Sequence, residues 1–158
     1  QVALISTVLL IWSCGKDSDP TPTASDLIVG NWKFSAVSLT IKVGNLSLVD
    51  YLISQGLTPA EAAEFAELFT MGMPEVDGTV EIKKGGTYTS TSDGITDSGT
   101  WELSADGKTL TLDKGTADQG VFTVATLTAT ELKLSGDESE TDSGVTVNIH
   151  FELSLTKL

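Results

Sequence analysis

The last stretch of the chain alternates between apolar and polar residues, and this pattern constrains the fold more than any other feature of the sequence. Apolar side chains occupy every second position from Val145 to Leu155, and mostly polar side chains lie between them. Because successive side chains of a β-strand point to opposite faces, one face of this segment is expected to be buried. A strand of about 13 residues is typical of strongly tilted strands in a barrel.

Further segments rich in Thr, Val, Ile, Leu and aromatic residues precede this one, and clusters of Gly, Asp and Ser separate them. This spacing predicts an all-β barrel or sandwich. The clearest turn is Asp106-Gly107, because Asp-Gly between alternating segments supplies the positive φ of a tight hairpin. The predicted strands are 31–43, 78–84, 86–92, 98–104, 108–113, 120–128, 131–136 and 144–156.

Residues 47–73 interrupt the strand pattern and predict helices. Thr58 suits an N-cap, Pro59 the first helical position, and Glu61 the acidic partner of a capping box. Behind this start, alanines and phenylalanines fall on one helical face and glutamates on another. The sequence therefore predicts an amphipathic helix, preceded by a shorter one at 48–54, as an insertion between the first and second strands.

The first 13 residues carry no charge and are mostly aliphatic, which is about the length of the apolar region of a signal peptide. A membrane-spanning helix needs roughly 20 apolar residues, and polar sequence begins at Gly15. The segment ends in Ile-Trp-Ser-Cys at residues 11–14, which resembles the signal of bacterial lipoproteins. The resemblance implies a lipid on Cys14, the single cysteine, and a signal whose start precedes Gln1.

Residues 14–26 are polar and contain prolines, so they are interpreted as a flexible tether. The lysine and aspartates just after Cys14 resemble the surface-export tag of lipoproteins in the Bacteroidetes. The predicted organisation is a signal peptide at 1–13, a lipid-anchored tether at 14–26, and a barrel at 27–158 with helices near 47–70. The two resemblances imply a protein of the bacterial outer membrane, either surface-exposed or periplasmic.

The charge balance excludes one large class of partners. The chain has nine lysines, no arginine and 22 acidic residues, which gives a formal net charge of −13. Such a chain repels the phosphates of nucleic acid. The lack of arginine also removes the residue best suited to bidentate capture of carboxylates and phosphates. We therefore expect no nucleic acid partner.

The sequence offers little for catalysis or metal binding. The single histidine, His150, lies on the polar face of the last predicted strand, and no Gly-x-Ser-x-Gly motif is present. One histidine and one cysteine cannot supply the usual ligands of zinc. We therefore predict a non-enzymatic protein that needs no cofactor and has no metal site. Two acidic clusters are interpreted as solvated loops, with calcium binding left open: Asp137, Glu138, Glu140 and Asp142 in one, and Asp93 with Asp97 in the other.

Two motifs mark the region that is predicted to form the barrel. They are Gly30-Asn31-Trp32, and Gly99-Thr100-Trp101-Glu102-Leu103 followed by Asp106-Gly107-Lys108-Thr109-Leu110-Thr111-Leu112. On these motifs, the region 27–158 resembles the lipocalin-like domains of bacterial lipoproteins, especially those of the Bacteroidetes. The resemblance implies an eight-stranded antiparallel up-and-down barrel in which Trp32 packs across the closed end. Lipocalins usually place an arginine of the last strand over that tryptophan, and Lys157 is the cation available here.

Eight strands enclose an interior that side chains fill or that holds one small ligand. Our leading hypothesis is a binding module for a small apolar or amphipathic molecule, with the helices covering one end. The alternative is a filled barrel that acts through its outer surface, as an interaction protein or an inhibitor of a secreted enzyme. Large strand aromatics are the predicted walls of a ligand cavity, namely Trp32, Phe34, Tyr88, Trp101, Phe122 and Phe151.

Overall fold

The structure is a computed structural model that describes residues 21–71 and 77–158. Within these ranges the chain forms three helices and nine strands. In chain order they are α1 (Ala24–Ile28), β1 (Gly30–Val43), β2 (Leu46–Ser47), α2 (Leu48–Ser54), α3 (Pro59–Met71), β3 (Gly78–Lys83), β4 (Thr87–Ser92), β5 (Ile95–Leu103), β6 (Thr109–Leu112), β7 (Gly120–Leu127), β8 (Glu131–Asp142) and β9 (Val145–Lys157).

Eight of the strands form a closed antiparallel ring. The ring closes because β1 pairs with β3 on one side and with β9 on the other, while the remaining neighbours follow chain order. The ninth strand, β2, has two residues and pairs with the end of β1. The predicted all-β, up-and-down barrel is therefore confirmed, and the helical insertion follows this extra strand.

The helix start predicted at Thr58 is present. The Thr58 backbone N–H donates to a carboxylate oxygen of Glu61 at 2.9 Å, and the Glu61 backbone N–H donates to the Thr58 hydroxyl at 3.4 Å. Bonds from the Thr58 hydroxyl and backbone hold the pKa of Glu61 below its ordinary value. In the part of the chain that the structure describes, no helix has the length and apolarity to cross a membrane.

One end of the barrel is closed by α1, which begins earlier than the predicted domain boundary. Residues 24–26, assigned to the tether at 14–26, are helical because Thr23 caps α1 in a capping box with Asp26. The Ile28 side chain is fully buried in the core, which ties this short helix to the barrel. The rest of the predicted tether up to residue 20, the signal segment and Cys14 lie outside the described residues.

The strand β8 is longer than the sequence predicted, and this corrects the interpretation of one acidic cluster. In the other cluster Asp93 lies in a turn as predicted, but Asp97 lies in β5. Asp137, Glu138, Glu140 and Asp142 were expected in a loop, but they belong to β8 and pair in register with β9 down to Asp142 opposite Val145. The strand continues because β9 extends through the same stretch, while the carboxylates remain exposed to water. The turn itself is Ser143-Gly144, and both residues have positive φ.

The core fills the closed end of the barrel. It contains buried side chains from α1 and from five of the strands. They are Ile28, Trp32, Ile82, Leu110, Leu132, Leu134 and Leu155.

Three strands continue past this core toward the opposite, open end. Residues 36–43 of β1 have β9 but not β3 beside them, and residues 136–142 of β8 have β9 but not β7. We call these two segments, together with residues 145–151 of β9, the extension.

Candidate binding site at the open end of the barrel

The inner face of the extension is apolar. Leu39 pairs with Phe151 and Ile41 with Ile149, and directly paired residues of antiparallel strands share a face. Alternation along β9 places Phe151 and Ile149 on the same face as Leu155, which is buried in the core. The inner face therefore continues the barrel interior beyond the packed region.

These inner residues are only half-buried and do not belong to the core cluster. A groove of about 430 Å³ lies beside them, and Val147 and Ile149 supply its apolar surface. The same groove is lined by Glu138 and Glu140, which pair with Ile149 and Val147 and so share their face. Its volume falls within the range of small-molecule sites, and its lining is amphipathic.

The outer face of the extension carries a second, polar groove of about 460 Å³, lined by Thr40, Lys42, Asp137, Ser139, Asn148 and His150. Glu138 borders this groove as well as the inner one. In it, His150 Nδ1 lies 2.8 Å from Asp137 Oδ1, and both side chains are exposed. His150 thus occupies the surface position that the sequence predicted. Across the described ranges, no group of three or more His, Cys, Asp or Glu side chains is arranged to hold a metal ion.

Across the ring from β9, a buttress of hydrogen bonds joins β4, β5 and the end of β6. The carboxylate of Asp113 accepts a 2.7 Å hydrogen bond from the Tyr88 hydroxyl and a 2.8 Å bond from the Thr100 backbone N–H. It lies directly over Gly99, where any Cβ would overlap it. We call Tyr88, Gly99, Thr100 and Asp113 the Asp113 buttress.

The buttress shifts the acidity of both its titratable groups. The N–H of Thr100, and then the hydroxyl of Tyr88, hold the pKa of Asp113 below its ordinary value. Burial, the bond to Asp113 and the neighbouring carboxylates of Asp97 and Asp118 raise the pKa of Tyr88 to about 12. A neutral phenol thus faces an ionised carboxylate at neutral pH.

Comparison with known families decides what kind of barrel this is. A family model of the lipocalin-like domain matches residues 28–134, which run from the end of α1 into β8. The chain belongs to the lipocalin-like domain family. No curated protein matches the chain. Lipocalin-like domains are generally non-enzymatic, and their barrels typically bind small hydrophobic ligands.

Trp32, the first of the predicted cavity residues, closes the bottom of this lipocalin-like domain. Its ring is fully buried, and its indole N–H donates a 2.7 Å hydrogen bond to the carbonyl oxygen of Ile28. The ammonium of Lys157 lies 5.0 Å from the ring centroid and takes the place expected for the arginine of lipocalins. Gly30 leaves room for the lysine, since a Cβ there would come within 2.5 Å of its Cε.

The other predicted aromatics have different positions. Phe34 and Trp101 pack against the core, and the Trp101 indole N–H donates to the carbonyl oxygen of Lys83 at 2.9 Å. Tyr88 belongs to the Asp113 buttress. Phe122 and Phe151 meet edge to face with centroids 5.9 Å apart, at the border between core and extension. Of the six, Phe151 is the one on the inner face of the extension.

The sequence predictions did not include the aliphatic residues of this candidate site or the inner position of its glutamates. Leu39, Ile41 and Ile149 belong to a visible alternation, but the predicted walls are restricted to aromatic side chains. Glu138 and Glu140 are predicted in a loop, because the predicted strand ends at residue 136. If the predicted strand is extended to residue 142 in register with β9, the alternation places both glutamates on the inner face.

Proposed function

We propose that this lipocalin-like domain binds a small apolar or amphipathic molecule on the inner face of the extension. The observation that carries the proposal is the split interior, with a packed core at the closed end and half-buried aliphatic side chains at the open end. Covering such side chains with a ligand gains about 25 cal/mol per Å² of apolar surface removed from water.

The helices stand at the same end of the barrel. The short strand β2 and helix α2 follow the end of β1 directly, α2 contacts both strands, and α3 packs against α2. We propose that this helical pair is the partial cover of the site. Ala62 of α3 is buried, whereas Phe65 and Phe69 remain exposed, and their rings contact each other at a tilt of 58° with centroids 5.3 Å apart.

Binding of N-phenyl-1-naphthylamine, a neutral dye that fluoresces in apolar surroundings, tests the proposal. Ile41→Gln places an amide on the inner face, and we expect it to weaken dye binding about tenfold, since it removes roughly 1.4 kcal/mol of apolar contact. Lys42→Gln is the matched control, because it introduces the same side chain one position away on the outer face. We expect this variant to bind like the unaltered protein.

Failure to bind the dye, or equal loss in both variants, contradicts binding on the inner face. That result favours the alternative of a barrel that acts through its outer surface on another protein.

We further propose that Cys14 carries a lipid and that the protein is tethered to the bacterial outer membrane. The apolar segment that ends at Cys14 supports this. Because α1 lies at the closed end, a tether entering through Thr23 would hold the binding site on the side away from the membrane. In cells given radiolabelled palmitate, we expect labelling that Cys14→Ala abolishes, and retained label would contradict the proposal.

A further inference from the structure

The groove on the inner face combines an apolar surface with carboxylates. Glu138 and Glu140 lie opposite Ile149 and Val147 in the β8–β9 register, and all four line the groove. Within residues 21–71 and 77–158, neither glutamate has an ion pair or a side-chain hydrogen bond. Both carboxylates are exposed at the rim of the apolar surface.

The other side of the ring adds negative charge at the same end. Alternation along β5 places Asp97 on the face of Gly99 and Trp101, which is the inner face. Asp113 lies over that face at Gly99, and together with Asp97 it acts on the hydroxyl of Tyr88. The open end therefore has inward-facing carboxylates on both sides.

The lysines of the described ranges do not offset this charge on the inner face of the open end. The lysines on β1, β3 and β8 alternate with inward-facing residues and therefore face outward. The lysine on β9 lies at the closed end. Lys33, Lys83, Lys114 and Lys133 form ion pairs with outer carboxylates, Lys42 lines the outer groove, Lys84 and Lys108 lie in closed-end turns, and Lys157 covers Trp32.

We infer that the ligand of this site is a cationic amphiphile, whose apolar part lies on Leu39, Ile41 and Ile149 and whose positive group lies beside Glu138 and Glu140. This inference rests on the proposed function and names its ligand class. A concave site lined by charge of one sign concentrates ligands of the opposite sign, and the formal charge of −13 acts in the same direction. An anionic amphiphile of equal length would meet the same apolar surface and be repelled.

The test compares decyltrimethylammonium with decanoate, which carry tails of similar length and opposite charge. Each competes with N-phenyl-1-naphthylamine for binding to the full chain at low ionic strength. We expect the cation to displace the dye at concentrations about tenfold lower than the anion, the effect of two nearby carboxylates in partly exposed surroundings. In about 0.5 M sodium chloride the ratio is expected to fall, because added salt screens these interactions.

Two double variants separate the inner carboxylates from the overall charge. Glu138→Gln with Glu140→Gln is expected to cut the cation preference, the ratio of the two displacing concentrations, to about threefold or less. Asp137→Asn with Glu152→Gln removes the same charge from the outer faces of β8 and β9, where these residues contact His150 and Ser38. We expect this matched control to keep the full preference.

Equal displacement by the two amphiphiles, or an equal loss of preference in the two double variants, overturns this inference and leaves the proposed function intact. Absence of dye binding, together with no heat of binding for decyltrimethylammonium in calorimetry, overturns the proposed function and this inference with it.

Discussion

The ammonium group of Lys157 lies 5.0 Å from the centroid of the Trp32 ring and donates a 2.7 Å hydrogen bond to the carbonyl oxygen of Leu27. One side chain of the last strand therefore joins the first strand to α1. Trp32 also joins the first strand to α1, because its indole N–H donates a hydrogen bond to the carbonyl oxygen of Ile28. The closed end is held by a cation, an aromatic ring and two backbone carbonyls.

Replacing this lysine is the direct test of that arrangement. Lys157→Met keeps most of the apolar stem but removes the cation and its hydrogen bond, and we expect the free energy of unfolding to fall by about 1–3 kcal/mol. Lys114→Met, which removes an exposed ion pair with Glu102, is expected to cost less than about 1 kcal/mol. Urea denaturation measures both, and equal costs would contradict a special role for Lys157.

The space above Gly99 predicts a clash that a second substitution relieves. Gly99→Ala drives a methyl group into the Asp113 carboxylate, so we expect a loss of about 2 kcal/mol or more in the free energy of unfolding. In an Asp113→Ala background the same change should cost much less, because the obstructing group is gone. Gly85→Ala, with open space around its Cβ, serves as the neutral control. Additive costs would rule out the overlap.

Acid should remove the stabilising effect of Asp113. Its pKa is lowered in the folded protein by the Thr100 N–H and the Tyr88 hydroxyl. The stabilisation is therefore present above the unfolded-state pKa, about 3.9, and is lost as the pH falls through the lower folded-state value. We expect the difference in unfolding free energy between the unaltered protein and Asp113→Asn to be constant near neutrality and to shrink below about pH 4. A difference independent of pH would contradict this.

The raised pKa of Tyr88 predicts a complementary change in stability at alkaline pH. Its pKa of about 12 exceeds that of a free tyrosine, about 10. The neutral phenol thus stabilises the fold below about pH 10, and this contribution is lost as the pH rises toward the folded-state value. Subtracting the absorbance titration curve of Tyr88→Phe from that of the unaltered protein isolates the titration of Tyr88, whose midpoint should lie near pH 12. In an Asp113→Asn background this midpoint should be lower. A midpoint near 10 would show that the buttress does not act on Tyr88.

The role of α1 can be measured at its one fully buried residue. Ile28→Ala should lower the free energy of unfolding by about 2–4 kcal/mol, because it leaves a cavity in the core. Leu27→Ala, at a half-buried position of the same helix, is expected to cost less. If both substitutions cost under about 1 kcal/mol, α1 does not contribute to the core and the barrel begins at β1.

The sequence predicted the ring of strands well because the alternation and the turn residues are local signals. Asp106-Gly107 forms the expected hairpin turn, and Thr58 and Glu61 form the expected capping box. Short helix α1 was missed because five residues carry no helical period, and its evidence is the long-range burial of Ile28.

The candidate binding site could be predicted only in part. The predicted fold implies a site inside the barrel, but the division between packed and open halves depends on where β3 and β7 stop beside their longer neighbours. That is a property of pairing between distant segments and has no signature in any one of them. The inner position of Glu138 likewise depends on its register with Ile149.

The extension leaves one edge of β8 without a neighbouring strand, since residues 136–142 pair with β9 alone among the described strands. Unpaired backbone of this kind invites a second molecule to add its own strand. Here two copies meeting edge to edge would bring together four acidic residues from each, Asp137, Glu138, Glu140 and Asp142. The like charges of the two edges would repel one another, so the acidic residues of β8 work against self-association through its open edge.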